Sequence, residues 1–97
     1  MVLKACGTSV SMKSDDSKAT RAAFGTVLSE TRQRLGLSQE TLAFESGLHR
    51  TYISQLERGL KAPTLDTLFA LSKALGVSPH ELVAQVESRG GDAGEIG

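Results

Sequence analysis

Apolar side chains recur along this chain at helical spacing, and glycines mark where each helical run stops. Phe24, Val27, Leu28, Thr31 and Leu35 share one face of a first helix expected from Thr20 to Leu35, with Gly36 as its stop and Gly25 as a mild weakness inside it. Ser38 is placed to cap a second helix over Gln39 to Ser46, whose Leu42 and Ala43 turn inward before Gly47 permits a sharp turn. A third helix is expected from about Arg50 to Arg58, with Ile53 and Leu56 inward and Gly59 after it. Thr64 opens a fourth, whose broad apolar face comprises Leu65, Leu68, Phe69, Leu71, Ser72 and Leu75 and which ends at Gly76. In the string VSPHEL, Ser78 can cap a fifth helix, Pro79 suits its first position, Glu81 can reach back to the cap and Val77 can staple against Leu82. Leu82, Val83 and Val86 then complete the core or form a partner surface.

No segment alternates with the period of a strand, so the expected fold class is all-α. Three parts follow. Residues 1–19 mix serine, lysine and aspartate without periodicity and are expected to be a tail or arm; 20–87 form the folding domain; 88–97, rich in glycine, are expected to be a flexible tail. A domain this small buries only about 60% of its unfolded surface, which favours pairing with a second copy.

Composition narrows the picture without redirecting it. Hydrophobic residues make up 39% and charged residues 23% of the 97. No apolar run nears the roughly 20 residues of a membrane span. The start, MVLKACGTSV, lacks the core of a signal peptide, and a cytoplasmic location is the expectation. Cys6 stands alone, so neither an intramolecular disulfide nor a zinc site built on several thiolates can form. His49 and His80 have no companion carboxylate or thiol at a spacing that suggests metal binding or nucleophilic catalysis, so neither a cofactor nor an enzyme is expected.

The formal net charge is zero, which argues against a nucleic-acid partner, because phosphates attract a basic surface. Distribution counters the sum. Between Arg32 and Lys61 the bases Arg32, Arg34, Arg50, Arg58 and Lys61 face only Glu40, Glu45 and Glu57, while most other acids lie toward the ends. On the third helix, Arg50, Thr51, Ser54, Gln55 and Arg58 line the side opposite Ile53 and Leu56, giving an outer face rich in long polar arms.

With those residues in place, Thr20 to Glu87 resembles the Xre, Cro and phage-repressor family of DNA-binding domains. The resemblance rests on LGLSQETLA, the small Ala43, Gly47, Ile53 and Leu56, LERG and ALGVSP. It implies a compact five-helix, lambda-repressor-like helix-turn-helix fold whose third helix enters a major groove about 12 Å wide. It further implies a homodimer, through helix five and its flanks, on a short palindromic operator of double-stranded DNA. Carried over residue by residue, Arg50, Thr51 and Gln55 match base-reading positions, and Gln39 a phosphate contact at a helix N-terminus. Tyr52, Ser54, Arg58 and Lys61 are flanking candidates for backbone contact, with packed or solvated roles as their rivals. His49 occupies the place where a capping residue would serve better and can touch DNA instead. Arg32 and Glu57 match a buried ion pair that sets the angle of the third helix; two exposed charges is the plain alternative. The string LHRTYIS resembles restriction-modification controller proteins within the family. Two other readings stay open: an antitoxin that uses the same DNA module and binds a protein partner through its N-terminal arm, and a protein-interaction module that has lost DNA binding.

Overall fold

The computed structural model of the protein describes residues 14–91, and all structural statements concern these. Five α-helices follow one another: α1 (Ser14–Arg34), α2 (Gln39–Ser46), α3 (Arg50–Glu57), α4 (Leu65–Leu75) and α5 (Pro79–Val86). A π-helical turn, Glu87–Gly91, closes the described chain, which contains no strand.

Local chemistry sets most of these boundaries. Ser38, Thr64 and Ser78 each accept a backbone N–H with the side-chain hydroxyl, from Thr41 at 2.9 Å, Thr67 at 3.1 Å and Glu81 at 3.1 Å, so three helix starts satisfy a donor the helix itself cannot. The α2–α3 corner turns at Gly47, whose φ of 77° is accessible at little cost only to glycine, while the Leu48 N–H reaches back 3.0 Å to the Ala43 carbonyl.

The helices enclose one core of Phe24, Val27, Leu28, Leu42, Ala43, Ile53, Leu56, Leu71, Leu75 and Leu82. Every helix contributes, so α3 is held from beneath by α1 and α2 rather than standing free. The closest approach is at the far end of α3. A methyl group added to Gly25 of α1 would lie 2.5 Å from the Glu57 carbonyl oxygen and 2.6 Å from that of Leu56. Gly25 is therefore the gap that lets two backbones touch.

The structure departs from the sequence expectation at four places. Leu35, expected on the inward face of the first helix, lies beyond its end at Arg34 and is 46% exposed. Helix α1 starts at Ser14 instead of Thr20. Its added turn is exposed from Lys18 to Thr20 and so shows no apolar period; Lys18, Ala19, Arg21 and Ala22 are strong helix formers, and Arg21 Nη1 donates to Ser17 Oγ at 3.0 Å across one turn. Of the expected N-terminal tail, residues 14–19 are thus helical, and 1–13 lie outside the described residues.

The expected C-terminal tail likewise yields residues 88–91 to the π-helical turn, which packs along α1, where Arg89 pairs with Glu30. Residues 92–97 lie outside the described residues. Finally, the apolar face expected on α4 divides: Leu71 and Leu75 are buried, whereas Leu65 and Phe69 remain 70% and 55% exposed. The stripe bearing Leu71 and Leu75 packs into the core, and Leu65 and Phe69 face outward.

Candidate nucleic-acid interface

The outer side of α3 carries exposed and half-buried polar side chains along its length, and its geometry is set from below. Ile53 and Leu56 are fully buried, which turns Arg50 and Thr51 outward and leaves Ser54 and Gln55 half-buried on the shoulder. Tyr52 is also half-buried and packs against the core. His49, Arg58 and Lys61 are exposed at the two ends. Arg50, Arg58 and Lys61 form no ion pair among the described residues, so their charge stays available to an anion.

Beneath this face a chain of hydrogen bonds ties three helices together. Arg32 of α1 grips Glu57 of α3 in a two-point fork, Nε to Oε2 at 2.6 Å and Nη2 to Oε1 at 3.0 Å, and its Nη1 donates to the Leu37 carbonyl at 2.8 Å. The two side chains are 12% and 7% exposed. The hydrogen bond to Glu57 raises the Arg32 pKa above its ordinary value, burial opposes that shift, and the attraction of the carboxylate adds to it. Gln39 of α2 then donates from Nε2 to Glu57 Oε1 at 2.9 Å and accepts from Arg50 Nη1 at 3.2 Å.

The geometry thus brings Arg32, Glu57, Gln39 and Arg50 into one network, while Thr51, Gln55, Ser54 and Tyr52 occupy the same helix without joining it. Sequence reasoning paired Arg32 with Glu57 but assigned Gln39 to phosphate, missing its bonds to Glu57 and Arg50. No local signal reveals such a bond, since its ends lie on different helices. His49 precedes α3 in extended backbone and makes no side-chain capping bond, which leaves the first N–H groups of that helix without a side-chain acceptor. Among the described residues no three histidine, cysteine, aspartate or glutamate side chains converge as a metal site would require.

Two eight-residue helices joined through a left-handed glycine, the second with a polar outer face and cations without ion pairs beside it, are the arrangement of a helix-turn-helix protein. The chain belongs to the Xre/Cro-type helix-turn-helix family of transcription regulators, whose model matches residues 28–82. In particular it is similar to restriction-modification controllers. Control protein C.BamHI of Bacillus amyloliquefaciens is 48% identical over 64 residues, covering 65% of this chain and 79% of that one. The crystal structure of the controller protein C.AhdI from Aeromonas hydrophila superposes with a TM-score of 0.65 at 47% identity, over 66% of this chain and 97% of that one. Wild-type C.Esp1396I, a third controller, gives 0.65 at 32% identity over 71% and 88%, and solved variants of it replace an arginine, a threonine and a tyrosine at consecutive positions.

Proposed function

We propose that the protein is a transcriptional regulator that binds a short, roughly palindromic operator as a homodimer, acting by occupancy rather than catalysis, in the cytoplasm. The observation that carries this reading is the outer face of α3: Arg50 and Thr51 stand exposed on a helix whose angle the buried Arg32–Glu57 fork fixes. In a major groove Arg50 would donate two hydrogen bonds to guanine, Gln55 would pair with adenine, and the Thr51 methyl would meet that of thymine. Arg58, Lys61 and Ser54, with Tyr52 and His49 at the near end, would contact the backbone and set register. The Arg-Thr-Tyr order replaced in the C.Esp1396I variants recurs here as Arg50, Thr51 and Tyr52, which supports a controller-like use of the same helix.

The dimer follows from apolar exposure. Leu65, Phe69 and Val83 stand 70%, 55% and 49% exposed on α4 and α5, and an apolar face of this kind gains from being covered by its twin. Two copies would then present their α3 helices to successive major grooves about 34 Å apart.

Selection of bound sequences from a random DNA pool tests the reading. Wild type should yield a two-fold symmetric consensus, and Arg50→Ala and Gln55→Ala should each relax one base position at a cost of about 1–3 kcal/mol. A pool that returns no consensus at low salt would instead favour a protein-interaction module, the reading to which the zero net charge lends weight.

A further inference from the structure

We propose that the groove between α1, α4 and α5 is a binding site for a small carboxylic acid with an apolar body, held through its carboxylate by Arg21. The site goes beyond the DNA-binding reading above and does not depend on it.

The walls of the groove set the body of the ligand. Phe24 of α1, Pro63 of the loop before α4, Leu68 of α4, and Val83 and Val86 of α5 line it. Phe24 is buried while Val83 is 49% exposed, so the apolar wall runs from the core to the surface and can be entered from solvent. The cavity measures about 250 Å³. An apolar cavity of about 150 Å³ can hold benzene, so this one has room for a phenyl ring or a branched alkyl chain and a polar head beside it. A ligand without an apolar body would leave that wall uncovered.

Arg21 sets the head group. It carries the only charge among the described residues that line the groove, and it forms no ion pair among them. Its Nη1 donates to Ser17 Oγ at 3.0 Å, whereas its Nε is buried without a hydrogen-bond partner among the described residues. A buried N–H that lacks an acceptor is costly and uncommon in a folded protein. The edge formed by Nε and Nη2 is spaced to receive both oxygens of one carboxylate. Seating them requires the guanidinium to turn that covered edge toward the groove, and Arg21 is half-buried on a long side chain with rotamers that allow it. A neutral head would leave the charge unmet, and a phosphate dianion would bring more charge to an apolar wall than one arginine balances.

Titration of the full chain with phenylacetate near neutral pH, followed by the methyl resonances of its valines and leucines, tests the site, with phenylacetamide and acetate as controls. Phenylacetate should shift the signals of Leu68, Val83 and Val86 saturably and leave that of Leu48 in place. Phenylacetamide, which keeps the ring without the charge, should bind about tenfold more weakly; acetate, which keeps the charge without the ring, should lose at least as much. Arg21→Leu should lower the affinity for phenylacetate to that for the amide and leave the amide unaffected, while Arg21→Lys should keep most of the preference for the acid. Equal affinity of the wild type for acid and amide, no saturable shift in the groove up to the solubility of the acid, or shifts centred on the cations of α3 would overturn the site. So would an Arg21→Leu protein that loses both ligands alike, since that is the mark of a purely structural role. Should the Arg21 variants fail to fold by circular dichroism, the comparison of acid with amide on the wild type decides alone. None of these outcomes touches the regulator reading, which is tested on DNA.

Discussion

Arg32 holds Glu57 at two points in a site nearly closed to water, and this is where one substitution has most effect on stability. Removing either partner leaves a charge buried without its counter-ion, at a cost of about 3–5 kcal/mol. Arg32→Ala is therefore expected to lower the midpoint of urea unfolding well below that of an exposed control such as Arg34→Ala. The pH behaviour follows from the direction of the arginine shift. A base whose pKa is raised on folding contributes fully below its unfolded value and loses that contribution only as pH rises through the folded one. For Arg32 both values lie in the strongly alkaline range, so the gap between wild type and Arg32→Ala should stay constant from about pH 7 to pH 10. A gap that narrows across that window would show that the guanidinium is not the group responsible. The pairing of these two residues could be anticipated only through a family resemblance. Nothing in the spacing of residues 32 and 57 says that α1 and α3 meet there.

Between elements, the decisive contact is the crossing of α1 with the end of α3 at Gly25. Alanine usually stabilises a helix interior relative to glycine by about 1 kcal/mol, so a local reading expects Gly25→Ala to help. The contact at 2.5 Å with backbone oxygen reverses that expectation, because a carbonyl anchored in a helix cannot swing aside as a side-chain tip can. We expect a net loss of about 1–3 kcal/mol, with α3 displaced and operator affinity reduced beyond what the loss of folded protein explains. Thermal unfolding and binding of the same preparation measure the two effects; equal or higher stability would mean that the crossing has room to open. Helix starts and stops were legible because caps and left-handed glycines are local chemistry: Ser38, Thr64, Ser78 and Gly47 all act within a turn of themselves. The role of Gly25 was not legible, since its partner is distant in sequence. The same limit hid the docking of Arg89 beside Glu30, the outward stripe of Leu65 and Phe69, and the link from Gln39 to Glu57, whereas the early start of α1 was hidden because its exposed residues carry no apolar period.

At the scale of the whole molecule, a neutral chain with a cation-bearing corner also carries exposed apolar side chains on α4 and α5. Placing a charge there should separate assembly from folding. Val83→Asp, at a half-exposed site on α5, is expected to leave helix content unchanged while light scattering shifts from dimer to monomer. Operator binding should fall with it, since two half-sites engaged together bind far more tightly than one. A variant that remains dimeric would move the interface away from α4 and α5.

The ends of α3 are unequally held. At Glu57 the helix is pinned by the Arg32 fork and by backbone contact with Gly25; at His49 it starts without a side-chain cap, and Arg50 is restrained by one bond to Gln39. Mechanically, α3 is held more firmly at its end inside the protein than at the end that faces the proposed DNA. Amide hydrogens near Thr51 and Tyr52 should therefore exchange with solvent faster than that of Leu56, and operator binding should slow those near Thr51 selectively. A helix held this way should tolerate small differences in groove geometry between half-sites, and the expected outcome is binding to operators whose two halves are not identical.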